Sequence, residues 1–164
     1  MCVSRSDDAT TAQSAGPVAD RGFEGYAVVE SAAPRGLGRG DRGELLVAQE
    51  LIERNWIVSF PFGDNARYDI IAEKGRHFCR IQVKSTENVT MTPRHGPHYA
   101  FGLCHGKAIK DTYDKSSIDF FICCAIQRKR FWVLPIEDVT CKTLKIFITG
   151  KKYHEYEAAW DLLN

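Results

Sequence analysis

The stretch Arg67 to Thr86, RYDIIAEKGRHFCRIQVKST, constrains this chain most, because it alternates twice around one short polar break. Tyr68 to Ala72 is rich in Ile and Tyr, and His77 to Val83 interleaves polar residues with Cys, Ile and Val. Between them, Glu73-Lys74-Gly75-Arg76 carries the glycine that suits a tight turn. The pattern predicts a β-hairpin with Glu73 opposite Arg76, Ile70 opposite Cys79, Asp69 opposite Arg80 and Tyr68 opposite Ile81. Successive side chains point to opposite sides of a sheet. Asp69, Ile71, Phe78, Arg80, Gln82 and Lys84 are therefore expected on one face. Tyr68, Ile70, Ala72, Cys79, Ile81 and Val83 share the other, which reads as core. A loop of two or four residues keeps this parity, whereas a loop of three sends Asp69 to the other side.

One face thus gathers a carboxylate, an amide and an amine. The i, i+2 spacing of Gln82 and Lys84 puts both on the same side of one strand. In the order Asp, then Asp/Glu/Gln, then one residue, then Lys, these groups suit phosphodiester chemistry. A carboxylate holds a divalent cation against a phosphate, with a second oxygen ligand beside it. A lysine orients or activates water and offsets developing negative charge. The alternative for the same three residues is a solvated sheet face.

Upstream, periodicity predicts a helix from about Arg42 to Asn55. Asp41 is the expected N-cap, and Glu44 three residues on completes a capping box. Glu44 also opens the stripe Glu44, Val47, Ala48, Leu51, so it is equally placed to face a neighbouring sheet. Leu45 and Ile52 are expected to widen the apolar side, with Glu50, Glu53 and Arg54 in solvent. The helix is expected over the sheet face that carries Asp69, packing on Ile71 and Phe78. Asn55 to Pro61 supplies the helix exit and a first strand, and Phe62 to Ala66 a turn that includes Asp64.

Beyond Lys84 the chain reads as a polar loop as far as His98, then as a strand from Tyr99 to Cys104. Ser85, Thr86, Arg94, Lys107 and Lys110 are candidates to line a groove for a phosphate backbone. An ordinary charged surface is the alternative for them. His95, His98 and His105 lack the spacing of a zinc site. Ser117 to Ile126 is a continuous apolar run, hence a buried strand. A turn at Gln127 to Arg130 leads into a strand from Phe131. Thr143 to Ile148 reads as an edge strand and Tyr153 to Leu163 as a terminal helix.

At 164 residues the chain is long enough for one domain with a proper core. Residues 1–38 are rich in Ser, Ala, Gly, Asp and Thr without sustained periodicity and read as a disordered or poorly ordered tail. Residues 39–164 are the folded domain. The net charge of +1 gives no global signal for nucleic acid, so local clusters must carry that argument. The six cysteines form no CxxC pair and read as reduced core residues of a cytoplasmic protein. No stretch reaches transmembrane length and the first residues lack the apolar run of a signal peptide, so no membrane association is expected.

Gly40-x-x-Gly43-Glu44 opening a helix, then Tyr68-Asp69, then Gln82-Val83-Lys84-Ser85, resembles the PD-(D/E)XK nuclease superfamily. Within it the chain is most similar to the group I intron-associated homing endonuclease type, which carries Gln where most relatives have Asp or Glu. Ser117 to Phe121 followed by Phe131 to Ile136 resembles the second half of that type, so the likeness spans roughly Gly40 to Ile148. The resemblance implies an α/β, restriction-endonuclease-like core, a mixed β-sheet flanked by helices. It implies a DNA endonuclease dependent on Mg²⁺, with Mn²⁺ as a substitute. Asp69 would be the central metal ligand, Glu44 a helix-borne acid acting directly or through water, Gln82 the second ligand, and Lys84 the group acting on the attacking water. Double-stranded DNA is the implied substrate and a homo-oligomer, dimer or tetramer, the implied assembly. A Holliday-junction resolvase or restriction/repair nuclease of the same fold stays open, as does a DNA-binding protein with a degenerate nuclease fold. Two departures stand out: no Pro precedes Asp69, and Gln82 removes one negative charge from the site.

Overall fold

The computed structural model describes residues 36–63, 65–93, 96–106 and 111–164. The tail expected over residues 1–38 lies outside them apart from Gly36, Leu37 and Gly38. Helix α1, Arg39–Glu53, starts three residues before its expected first turn. Gly38 is the N-cap, and its N–H donates to Asp41 Oδ2 at 3.0 Å. Asp41 therefore sits inside the first turn, where a carboxylate also meets the positive end of the helix dipole. Glu44 closes no capping box. Gly43, Val47, Ala48 and Leu51 form the buried stripe. Leu45 and Ile52 do not widen it: they are 50% and 59% exposed, and Leu46 on the other flank meets the core instead. Asn55, at φ 63°, turns the chain out of the helix and drops Trp56 into the core.

The strands follow as β1 (Ile57–Ser59), β2 (Ile70–Lys74), β3 (His77–Thr86), β4 (Thr90–Thr92), β5 (Gly96–Gly102), β6 (Cys104–His105), β7 (Asp111–Thr112), β8 (Phe120–Ala125), β9 (Arg130–Pro135) and β10 (Thr143–Phe147). The main sheet has the order β1-β2-β3-β8-β9, a second sheet runs β10-β5-β4, and β6 and β7 make a two-stranded ribbon. Among the described strands only β3 and β8 pair in parallel, so the main sheet is mixed as expected. The parallel ladder is pinned by Asp119, just before β8. Its carboxylate takes Arg80 N–H at 2.7 Å and Arg80 Nη2 at 2.8 Å. Burial pushes the Asp119 pKa up, but the Arg80 side-chain and backbone bonds outweigh it and hold the carboxyl below its ordinary value.

The β2–β3 hairpin forms with a register shifted from expectation. Lys74 pairs with His77 and Ile70 with Ile81, leaving only Gly75 and Arg76 in the loop. Gly75 takes φ 68°, which a two-residue turn of this kind demands and a side chain disfavours. The shift is an even number of residues, so the faces stay as predicted: Ile70, Ala72, Cys79, Ile81 and Val83 are all buried. Tyr68 is the exception. The strand starts only at Ile70, and Tyr68 packs on the opposite side with the second core.

Helix α1 also lies on the other face from the one expected. Val47, Ala48 and Leu51 pack on Ile70, Ala72, Ile81 and Val83, whereas Phe78 is 58% exposed. The Ile70 face is continuously apolar; the opposite face carries Arg80, Gln82 and Lys84, on which an apolar stripe gains little. The second face of the main sheet is covered by the β10-β5-β4 sheet, rather than by a helix, through Tyr99, Phe101, Leu144 and Ile146 against Phe121, Trp132 and Leu134.

Two further expectations give way to pairing. The polar stretch after Lys84 is not all loop: β3 runs on to Thr86 beside its parallel partner β8, and β4 and β5 form a hairpin around Pro93. The terminal helix expected over Tyr153 to Leu163 is replaced by two 3₁₀ turns, His154–Tyr156 and Trp160–Leu163. Between them Glu157 bridges Trp132 on β9 and takes Arg130 Nε at 2.7 Å, while Ala158 adopts φ 52°. Trp160 and Leu163 are buried even so. Cys79, Cys123 and Cys124 are buried, and the described cysteines are free thiols. No helix among the described residues is long and apolar enough to cross a membrane.

Candidate active site

The hairpin opens at Asp69. Its N–H still donates to Ile81 O at 2.9 Å, but β2 has not yet begun, and the Asp69 carboxylate takes a backbone donor of β3. Val83 N–H donates to Asp69 Oδ2 at 2.8 Å, and Gln82 Nε2 donates to the same oxygen. Gln82 is 6% exposed and, with His98, is one of the two buried polar residues described. Burial pushes the Asp69 pKa up; the Val83 amide, the Lys84 charge and Gln82 oppose it without reversing it.

Glu44 approaches from helix α1, on the far side of the sheet, where β2 stops and no longer separates the two faces. Glu44 and Asp69 line one half-open cavity of about 420 Å³, together with Asp41, Phe60, Pro61, Gly63, Ala66 and Tyr68. Burial, then repulsion from Asp69 and Asp41, raises the Glu44 pKa against the attraction of Lys84. The helix comes this close because Gly43 has no side chain. A Cβ there would lie 2.5 Å from Ser85 Cβ and 2.9 Å from its Oγ.

Lys84 projects from β3 on the same side as Gln82. Its Nζ lies 3.3 Å from Tyr113 Oη and 5.2 Å from the centre of that ring. Burial lowers the Lys84 pKa, while Asp69, then Cys123, Cys104 and Glu44, raise it. Glu44, Asp69, Gln82 and Lys84 are thus brought together: two repelling carboxylates, one amide and one half-buried ammonium.

The residues expected to line a backbone groove fare differently. Ser85 Oγ donates to Arg39 O at 3.0 Å and ties β3 to the start of α1. Thr86 Oγ1 donates to Asn88 O at 3.4 Å. Arg94, Lys107 and Lys110 lie outside the described residues. So do His95 and Asp64. His98 is buried against Gly96 O, and His105 sits with Arg67 and Tyr113. Sequence reasoning missed Tyr113, whose link to Lys84 comes from the crossover into β8. The one signal for it is an aromatic ring between Thr112 and Asp114 in a polar connection.

The donor set suits a hard divalent cation. Its available atoms are carboxylate oxygens of Asp69 and Glu44 and, with Nε2 spent on Asp69, the amide oxygen of Gln82. Two carboxylates that burial pushes toward protonation, Glu44 further so by the charge of Asp69, are what such a cation relieves. Among the described residues no group of three or more His, Cys, Asp or Glu could hold a metal by itself.

A helix leading into a mixed sheet, with its acids meeting a Gln-x-Lys strand where the neighbouring strand stops, has the form of an endonuclease-like α/β core. A family model described as PD-(D/E)XK endonuclease matches residues 37–162, and the chain belongs to that family. Among solved structures, the chain is similar to a bacterial homing endonuclease, I-Ssp6803I, with a TM-score of 0.64, 20% sequence identity, and coverage of 76% of this chain and 89% of that one. At that identity the likeness is one of fold. No curated protein sequence matches the chain.

Proposed function

We propose that the protein is a metal-dependent DNA endonuclease that hydrolyses phosphodiester bonds. The observation that carries this reading is the meeting of Glu44, Asp69, Gln82 and Lys84 at the start of β2. Asp69 and Glu44 would hold Mg²⁺, or Mn²⁺ in its place, with Gln82 contributing its amide oxygen. The bound cation would supply charge neutralisation at the phosphate. Val83 N–H and Gln82 Nε2 fix the Asp69 carboxylate by binding one of its oxygens, which leaves the other free. Lys84 places an ammonium within charge range of Asp69 and, more weakly, of Glu44, where it would hold the attacking water and offset charge that develops on the phosphate. With one carboxylate fewer than the usual set, more of the coordination would fall to the substrate phosphate, so cation affinity should be low until DNA is bound.

Incubation of supercoiled and of branched DNA with the full chain, with and without Mg²⁺, tests the reading. Nicking that needs the cation is expected, and the preferred substrate separates a duplex nuclease from a junction resolvase. Asp69→Asn should lose cutting and cation binding together. Lys84→Ala should lose cutting yet keep most DNA affinity in Ca²⁺, because one phosphate contact among several is a small part of non-specific binding. Wild-type protein that nicks no DNA under any divalent cation would refute the enzyme.

A further inference from the structure

Tyr113 stands in the connection between β7 and β8, outside both the hairpin and the helix. Its ring packs edge-on against Phe121, with centroids 5.2 Å apart at 87°, and against His105, at 4.9 Å and 79°. Phe121 is the ladder partner of Gln82 in the parallel pair, so the ring is held by the strand that neighbours the site. From there Tyr113 Oη meets Lys84 Nζ at 3.3 Å, and the ammonium lies 5.2 Å from the ring centre. Tyr113 thus meets Lys84 at its hydroxyl end: its oxygen accepts one of three N–H bonds, and the ring distance follows from the same approach. A side chain with four rotatable bonds has many positions available even when half-buried; this contact selects among them.

We propose that Tyr113 is a positioning residue for the hydrolytic reaction, fixing the Lys84 ammonium so that its remaining N–H bonds face Asp69 and the attacking water. This inference rests on the nuclease reading above. Burial, followed by the charge of Asp69, pushes the phenol pKa up to about 12, so the group stays neutral and accepts from the ammonium at neutral pH. The bland role for the same ring is that of a packing residue of the second core, which its half-buried position against that cluster also fits. The hydroxyl separates the two roles, since packing needs only the ring.

The test compares Tyr113→Phe, which keeps the ring, and Tyr113→Leu, which removes it, with the wild-type full chain. Three readouts are taken: single-turnover cleavage in Mg²⁺, DNA affinity in Ca²⁺, and the rate of Lys84 acylation by acetic anhydride in chelator, followed by mass spectrometry. Tyr113→Phe should cut about tenfold more slowly, the loss of one hydrogen bond to a charged group, with DNA affinity within about twofold of wild type. Tyr113→Leu should cut more slowly still, and its Lys84 should acylate severalfold faster than in wild type. Tyr113→Phe cutting at the wild-type rate overturns the proposal. So does a fall in rate matched by an equal fall in DNA affinity, which would make Tyr113 a DNA contact. Lys84 of the wild type acylating as fast as the exposed Lys145 overturns it as well. A wild type that fails to cut at all sinks the nuclease reading itself, and differs visibly from failure of the Tyr113 role, which shows only against an active wild type.

Discussion

At the scale of single residues, the unusual feature is an amide beside a buried acid. Gln82 donates to Asp69 Oδ2, so it both satisfies the carboxylate and spares the site a charge. Replacing it by Glu reverses each effect. The donor disappears, and a third carboxylate is set against two that burial already pushes toward protonation. In chelator, Gln82→Glu should be less stable than wild type by about 1–3 kcal/mol, the cost of an unsatisfied buried group. Mg²⁺ should restore that stability, bind more tightly without DNA than to wild type, and still support some cutting. Urea titrations with and without Mg²⁺ check this; a variant equally stable in chelator and in Mg²⁺ would contradict it. Gln82 and Lys84 were legible as a pair because strand parity puts them on one side of β3, and Asp69 joined them because the short hairpin returns it beside Gln82. Tyr113 was not, because no spacing within the sequence links residues 84 and 113.

At the scale of elements, the helix and the sheet meet through Gly43. Gly43→Ala gives α1 a better helix former. It also puts a methyl 2.5 Å from Ser85 Cβ, so the first turns of α1 must lift from β3 and carry Glu44 away from Asp69. The variant should lose about 1–3 kcal/mol of stability to overpacking and most of its cutting rate. Adding Ser85→Gly should recover part of both by reopening the gap, although that change also removes the bond to Arg39 O. Denaturant midpoints and nicking rates of the single and double variants decide the point. If the second change recovers neither quantity, the close approach is not what seats Glu44. The same elements show where sequence reading stops. The strand from Ile70 and the buried run before Ile126 follow from alternation and apolarity. The face chosen by α1 and the exact hairpin register depend on which apolar surface is larger and on how short a turn Gly75 permits. The terminal segment buries Trp160 and Leu163, but Glu157 is drawn to Arg130 and breaks the expected helix.

For the molecule as a whole, one chain offers one candidate site, and cutting both strands of a duplex calls for two. We therefore expect a closed dimer or tetramer. Light scattering of the full chain, free and on DNA, should show it, and a monomer in both states would count against it. The main sheet is guarded unevenly: β9 is covered by the C-terminal segment, with Ala158 N–H donating to Phe131 O at 2.9 Å. The other edge is β1, only three residues long, with Ile57 62% exposed. The parallel pairing of β3 with β8 has a consequence in time. The hairpin that joins Asp69 to Gln82 closes across two loop residues, whereas Arg80 and Asp119, which pin the parallel ladder, stand 39 residues apart. Loop-closure entropy favours the short connection first. A nascent chain can thus bring Asp69 and Gln82 together while Lys84 is still bathed in water. Only when the distant strand docks, with Phe121 behind Tyr113, is the ammonium enclosed, so the capacity to cut would arrive last, after the rest of the domain is able to guard its own edges.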